Sequence, residues 1–350
     1  MKGFDELQQR TWAFINDGRC GEAAAILEPL TGEGKDTYCF ACFLLAQVEN
    51  ARGNPRLAEE LYYKAFDACP DGRAGAVFFE KTHPEYVYKG RHDHARREDC
   101  PLCGKKAAPR WAYATPHSAS YNNRHNPVRV WMHCADCNHC FAESLPETLY
   151  DVSGGGRPMQ MKGYGPFHSK VLNKCLTYIR EVRGEAAPLL ADGLPLLEIG
   201  IGASELLLAA REMGFDAKGL DIIPANVKQA RRFGLNAETA DFMEYDDGSR
   251  YDLIIMGDVI EHVPNPIEAM KKAAGLLAEK GLLWVSTPNF ENYWSLLLGH
   301  KDVMKLECGH VNYFSRESFY KLLDMCGLSP LEYAISEHYR GSMEIISVKK

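Results

Sequence analysis

The sequence predicts an α/β protein whose C-terminal half is a doubly wound, mostly parallel sheet, preceded by an α-helical repeat-like domain and a small cysteine-rich domain. Three observations carry this. From about Leu194 onward, the apolar runs LPLLEIG, FDAKGLD, YDLIIMG and GLLWVST alternate with the helical patterns ASELLLAAREMG, PANVKQARRFG and PIEAMKKAAGLLAEKG, which is the alternation of parallel strands and covering helices. From Phe4 to Pro70, apolar residues recur at helical spacing. Between these regions the apolar runs shorten, and two Cys-x-x-Cys knuckles appear in CPLCG and CADC. The expected organisation is therefore helices over 1–80, the cysteine-rich domain over 81–150, a linker with a lid helix over 151–193 and the sheet domain over 194–350.

In the helical region, Gly18, Gly53 and Asn54 fall where inter-helix turns belong. The second helical pair resembles a tetratricopeptide repeat, with Ala58, Tyr62, Ala65 and Pro70 at that family's small, aromatic, small and terminating positions and Cys42 where a large aromatic is usual. Two such units fall short of the three that a free-standing array needs, so they are expected to pack on the rest of the chain. Cys39 and Cys42 lie one helical turn apart on an apolar face and read as buried structural residues.

Cys100 with Cys103 and Cys134 with Cys137 present four thiolates on two tight turns, the ligand set of a closed tetrahedral zinc site, and the segment reads as a zinc ribbon with structural Zn2+. The 30 residues between the pairs call for a long hairpin. His133 and Cys140 flank the second pair as alternative ligands; Asn138 suits the turn position after Cys137, with Cys140 and Phe141 opening the next strand.

No stretch approaches 18 uncharged apolar residues, and no apolar signal segment opens the chain, so it reads as a soluble cytoplasmic protein with no membrane partner. A reducing compartment makes a disulfide framework of the twelve cysteines unexpected. The formal charge of −7 weighs against a nucleic-acid binder taken whole. Residues 81–133 are nevertheless locally basic, ten Lys or Arg against four acids, and they interleave Trp111, Tyr113, Tyr121 and Trp131, a composition that keeps RNA open as a partner.

The turn in LEIGIGAS asks which cofactor the sheet holds. A dinucleotide fingerprint needs a third glycine where Glu205 stands, and a carboxylate in the first helical turn repels a pyrophosphate. S-adenosylmethionine needs glycine backbone, an acid for its amino group and a carboxylate for its ribose. Glu198, Gly200 and Gly202 at the first strand, Asp221 at the end of the second, and Asp241 with Phe242 after the third supply these in order.

These residues, with YDLIIMGDVIEHVPNP and GHVNYFSRESFYKLLDMCGL, resemble the class I S-adenosylmethionine-dependent methyltransferases, and within them the subgroup that includes ubiquinone-biosynthesis O-methyltransferases. The resemblance covers about residues 160–350 and implies a Rossmann-like sheet of seven strands with a reversed last hairpin, here near Leu331–Ser336 and Met343–Val348. It carries the cofactor contacts over to Glu198, Gly200, Gly202, Asp221, Asp241, Phe242 and Gly257. It also implies a divalent-metal reading, with Mg2+ as the ion, for Asp258, Glu261 and His262, beside the alternative that the stretch is structural.

Methyl transfer from a sulfonium needs alignment of the acceptor and removal of its proton. Three histidines are candidates for the proton: His310 in CGHVNYFS, where the family caps its acceptor pocket; His262 after the fourth strand; and His168 in KGYGPFHSK, where Tyr164 and Phe167 beside glycines read as a hinged lid. Each has a bland alternative as a loop or helix-start residue. Tyr293 and Trp294, in the long stretch from Asn289 to His310, line the acceptor pocket or belong to the core. The expected reaction is O- or N-methylation of a small molecule, sugar or natural-product intermediate. The rivals are a peptide or protein held by the helical repeats and ribbon, RNA, and a non-enzymatic cofactor sensor.

Overall fold

Helical spacing, two cysteine knuckles and alternating strand and helix patterns become two compact units in the computed structural model: Met1–Val152 with Leu298–Val311, and Ser153–Leu297 with Asn312–Lys350. The structure describes residues 2–70, 88–91, 95–115, 126–145, 159–163, 165–184, 190–299, 302–307, 309–338 and 341–350.

In the first unit, α1 (Lys2–Asn16), α2 (Cys20–Leu27), α3 (Lys35–Ala51) and α4 (Pro55–Ala68) form antiparallel pairs. Gly18 and Gly53 take φ of +72° and +81° in the turns, where a side chain would be strained, and Pro55 starts α4 with its φ already set. Ala58, Tyr62 and Ala65 are buried on α4, and the Tyr62 ring meets Phe43 edge-on at 4.9 Å. Cys39 and Cys69 are joined by a disulfide with Cα atoms 6.2 Å apart, which corrects the expectation that all thiols stay free. The antiparallel pairing of α3 and α4 brings their open ends together, and the bond closes the pair opposite the Gly53 turn.

The cysteine-rich segment forms β1 (Ala108–Ala114), β2 (Val128–Cys134) and β3 (His139–Ala142), with β2 antiparallel to both neighbours. The helices pack on it as expected. Asn50 accepts from the Ala112 amide at 2.9 Å and donates to the Ala112 carbonyl, while the Arg56 guanidinium donates to both oxygens of buried Glu143. The aromatic residues of the basic stretch are mostly interior: Trp131 is fully buried, Tyr113 nearly so, and Trp111 lies under Arg110 at 4.3 Å and Lys305 at 4.6 Å. Tyr121 lies outside the described residues. Rings buried in a core cannot stack on unpaired bases, so Tyr113 and Trp131 lend the RNA reading no support.

The second unit is built on β4 (Pro195–Ile199), β5 (Asp216–Asp221), β6 (Asn236–Thr239), β7 (Tyr251–Gly257), β8 (Leu277–Pro288), β9 (Leu328–Ile335) and β10 (Ser342–Lys349). They form one seven-stranded sheet in the order β9-β10-β8-β7-β4-β5-β6. All neighbours are parallel except β10, which runs antiparallel to β8 and β9. This is the reversed last hairpin; its first strand starts three residues earlier and ends one residue earlier than expected, and its second is one residue longer at each end. Helices α5 (Pro166–Arg183) and α6 (Glu205–Glu212) cover one face, burying Val171, Leu172, Leu176 and Ala210 against Leu196, Leu253, Leu282 and Trp284. The lid helix of the sequence reading is α5, and it belongs to this core. Helices α7 (Pro224–Arg232), α8 (Pro266–Leu276) and α9 (Arg316–Met325) also belong to this unit.

After β4 the chain builds β5 and β6 on one side, then crosses to build β7 and β8 on the other, so the strand order reverses between β4 and β7. Ligands of open α/β sheets bind outside the carboxyl ends of the strands at such a point. Gly219 on β5 lets the turn after β4 lie close: a Cβ there would fall 2.5 Å from Ile201 Cγ2 and 2.7 Å from Leu207 Cδ2. Gly219→Ala is expected to lower stability by about 1–3 kcal/mol through overpacking, read from urea unfolding; an unchanged midpoint would show that the turn yields freely.

Candidate active site

The first strand ends in Glu198-Ile199, and the chain turns through Gly200 (φ +76°), Ile201 and Gly202 (φ +47°) into α6. A Cβ on Gly200 would stand 2.6 Å from Val259 Cγ2, so the turn and the segment after β7 approach as closely as glycine permits. Ser204, the residue before α6, is also left-handed at φ +66°, with its hydroxyl buried and unpaired. In sequence a serine before a helix looks like an ordinary cap, yet its side chain makes no cap hydrogen bond. A strained, orphaned serine beside the glycine turn is the kind of local cost that persists at binding sites.

Asp221 ends β5 and is buried. Its Oδ1 accepts from the Ile223 amide at 2.7 Å, and its Oδ2 accepts from the Gly202 amide at 3.0 Å and from Asn226 Nδ2 at 3.1 Å. Two carboxylate oxygens offer about four acceptor positions, so one remains for an outside hydroxyl. Asp241, exposed after β6, accepts from the Met243 amide at 2.9 Å, and Phe242 beside it is buried. Gly257 ends β7, next to Asp258 at φ +54°. The structure thus brings Glu198, Gly200, Gly202, Asp221 and Gly257 to one edge of the sheet, at the ends of adjacent strands.

That edge is acidic, and several of its carboxyls are buried. Glu198 is buried with Oε2 unpaired, and its carboxyl is pushed up to about 8, by burial first and by Asp221 second. Burial raises Asp258 to about 6, against the Ser286 hydroxyl that donates to it at 3.1 Å. Glu261 is fully buried, accepts from the Thr287 hydroxyl at 3.0 Å, leaves Oε1 unpaired, and is pushed well above the carboxylate range by burial and then by Asp258. Buried carboxyls of raised pKa with unpaired oxygens fit a ligand that brings a cation or a hydrogen-bond donor.

His168 sits in the first turn of α5, where its Nδ1 accepts from the Gly165 amide at 3.1 Å and its Nε2 stands 3.8 Å from Glu205; burial lowers its pKa. Phe167 stacks on His338 at 4.8 Å, while Tyr164 lies outside the described residues. His262 closes the short helical turn after β7, beside Glu261. His310 belongs to the first unit, where its Nδ1 lies 3.0 Å from the Met304 carbonyl. Among the described residues, the ligand atoms of Asp258, Glu261 and His262 are not gathered into one three-residue cluster. Tyr293 is exposed and Trp294 half-buried.

In the first unit, the Sγ atoms of Cys100, Cys103, Cys134 and Cys137 all lie within 4.8 Å of one another, with Cys100–Cys137 and Cys103–Cys134 at 3.4 Å. Each knuckle ends in a left-handed residue, Gly104 at φ +71° and Asn138 at φ +53°. The Cys100 thiol is drawn down to about 5 by Cys137, with burial opposing and the Cys103 and Leu102 amides assisting. His133 instead contacts the Asn138 side chain at 3.0 Å, and Cys140 is buried in β3, outside this four-residue group.

Residues 172–333 match a family described as a methyltransferase domain. A ubiquinone biosynthesis O-methyltransferase of Cereibacter sphaeroides is 29% identical over 189 residues, covering 48% of this chain and 76% of that protein. One from Caulobacter vibrioides is 31% identical over 141 residues, 36% of this chain and 55% of that protein. Among solved structures, magnesium protoporphyrin IX methyltransferase of Synechocystis, with bound SAH, is 19% identical with a TM-score of 0.41, over 52% of this chain and 84% of that one. Residues 172–333 of this chain are thus a methyltransferase domain, carried on the seven-stranded sheet with its reversed hairpin.

Proposed function

We propose that the chain transfers the methyl group of S-adenosylmethionine to an oxygen or nitrogen of a small-molecule, sugar or natural-product acceptor, at the carboxyl edge between β4 and β7. The observation that carries this is the unpaired, buried Glu198 Oε2 beside a glycine turn whose Gly202 amide is already oriented on Asp221. Glu198 receives the donor's ammonium group, Gly200 and Gly202 let its methionine portion lie on backbone, and Asp221 accepts from the ribose. Asp241, Phe242 and Gly257 bound the adenine side. When bound, the donor supplies an activated methyl group that already carries its leaving group.

The work left to the chain is to hold the acceptor in line and take its proton. His262, on the turn after the central strand, is the residue assigned to that proton. The relatives act as O-methyltransferases by name, which favours a hydroxyl acceptor. A methyl-label transfer into cell extract, divided into small-molecule, peptide and RNA fractions, tests the acceptor class. Label is expected in the small-molecule fraction; label confined to peptides would overturn the small-molecule reading.

The four-cysteine cluster is assigned to structural zinc, making the segment a zinc ribbon. Tetrahedral Zn–S bonds of about 2.3 Å put sulfurs about 3.8 Å apart, close to the spacing present, and the knuckle amides already face the sulfurs. Mg2+ is not assigned, because Asp258, Glu261 and His262 do not converge as ligands.

Glu198 also makes donor binding pH-dependent. Its carboxyl keeps a proton in the folded protein up to about 8, whereas an unfolded glutamate releases it near 4.5. Its contribution therefore weakens the fold as pH rises through that window. A cation at Oε2 lowers the folded value, so donor binding expels a proton and tightens with pH until about 8. Titration calorimetry near pH 6.5 in buffers of different ionisation enthalpy is expected to give close to one proton released per site, and none in Glu198→Gln. Equal proton release in both would remove Glu198 from the ammonium site.

A further inference from the structure

The segment Met159–Gly163, ahead of α5, is fastened to the elements that form the donor site. The Met159 amide donates to Asn226 Oδ1 at 3.1 Å, its carbonyl accepts from Gln229 Nε2 at 2.6 Å, and the Lys162 amide donates to Glu205 Oε1 at 2.8 Å. Met161 packs beside the cluster of Ile201, Leu207 and Val227, and the Met159 thioether lies 3.2 Å from where a Gly202 Cβ would stand. The segment is thus a strap laid on the glycine turn, held by α6 and α7.

Asn226 links that strap to the site. It is 2% exposed, and both ends of its amide are used: Nδ2 donates to Asp221 Oδ2 at 3.1 Å while Oδ1 accepts from the strap. The pairing is directional. A carboxylate only accepts and a backbone N–H only donates, so one orientation of the amide serves both. Asp221 Oδ2 is shared between Asn226 and the Gly202 amide, so a shift of the carboxylate moves the turn and the strap anchor together.

We propose that Asn226 is a positioning residue for the methyl donor, one that holds Asp221 in place for the ribose hydroxyls and couples ribose occupancy to seating of the Met159–Gly163 strap. The inference rests on the reading of Asp221 as the ribose ligand and goes beyond it in assigning a second residue and a coupled segment. Binding of ribose to Asp221 stiffens a carboxylate that Asn226 also holds, and the strap then loses its anchor less often. By reciprocity, a seated strap raises donor affinity. Adenosine, which carries the ribose, should seat the strap; methionine alone should not.

Lys162 makes the strap readable, because it is exposed and offers a trypsin site within it. In the full-length wild-type chain, S-adenosylmethionine and adenosine are expected to slow cleavage after Lys162, followed by mass spectrometry, and methionine to leave it unchanged. Asn226→Ala is expected to weaken donor binding about tenfold, as for a lost hydrogen bond to a charged group, and to abolish the protection even at saturating donor. Gln229→Ala removes a strap anchor while leaving every Asp221 bond in place; it should speed cleavage after Lys162 with less than about threefold change in donor affinity, and it provides the test if the Asn226 variant does not fold. Wild-type affinity in Asn226→Ala, undiminished protection by saturating donor in that variant, or a wild-type cleavage rate in Gln229→Ala would overturn the coupling. If Asp221→Asn also binds the donor normally, the ribose assignment itself fails; if Asp221→Asn loses binding while Asn226→Ala keeps both affinity and protection, only this inference fails.

Discussion

Replacing Cys100 and Cys134 together with serine is expected to drop zinc from about one ion per chain to none and to cost the first unit its cooperative unfolding transition. Each knuckle would lose one of its two thiolates, and the two opposed sulfur pairs, Cys100–Cys137 and Cys103–Cys134, would each be broken. Structural zinc is worth on the order of 10 kcal/mol to small domains that form around it. The cost here is smaller where helices share the core, as the Asn50–Ala112 and Arg56–Glu143 contacts indicate. Elemental analysis and thermal unfolding read the two effects separately. The seven-stranded sheet holds none of these cysteines, so donor binding by the second unit should persist. Unchanged zinc content in the double variant would sink the ribbon assignment.

Asp221→Ala is expected to abolish the rise in melting temperature that S-adenosylmethionine gives the wild-type chain. At about one hundred times its dissociation constant a ligand adds about 2.7 kcal/mol of stability, a shift of several degrees in a domain of this size. The alanine variant also strips an acceptor from the Gly202, Ile223 and Asn226 donors, so its unliganded stability falls as well. Asp221→Asn separates the two effects: it keeps one acceptor oxygen near the turn while losing charge and acceptor capacity toward the ribose. A full ligand shift in Asp221→Asn would place the ribose elsewhere.

Much of the second unit was legible because its signals are local. Glycines at a strand end, an acid at the end of the next strand and helices ended by glycine obey the geometry of one crossover at a time. The seven-stranded order and the reversed hairpin came from family resemblance; a spacing rule does not contain them. Gly219 was not legible, because its importance lies in Ile201 and Leu207 approaching from another element. Nor was the strap, whose partners Glu205, Asn226 and Gln229 stand 43 to 70 residues away. The Cys39–Cys69 bond escaped for a similar reason: on α3 alone Cys39 is an apolar-face residue, and only the return of α4 brings Cys69 to it. In the basic stretch, composition cannot tell a ring offered to a base from one buried in the core, as Trp131 and Tyr113 are.

Isothermal titration of the wild-type chain with S-adenosylmethionine, repeated in the presence of excess NAD+, tests the assignment of the sheet edge most directly. Saturable binding at one donor per chain, unaffected by NAD+, is the predicted result. NAD+ binding that displaces the sulfonium donor would contradict it.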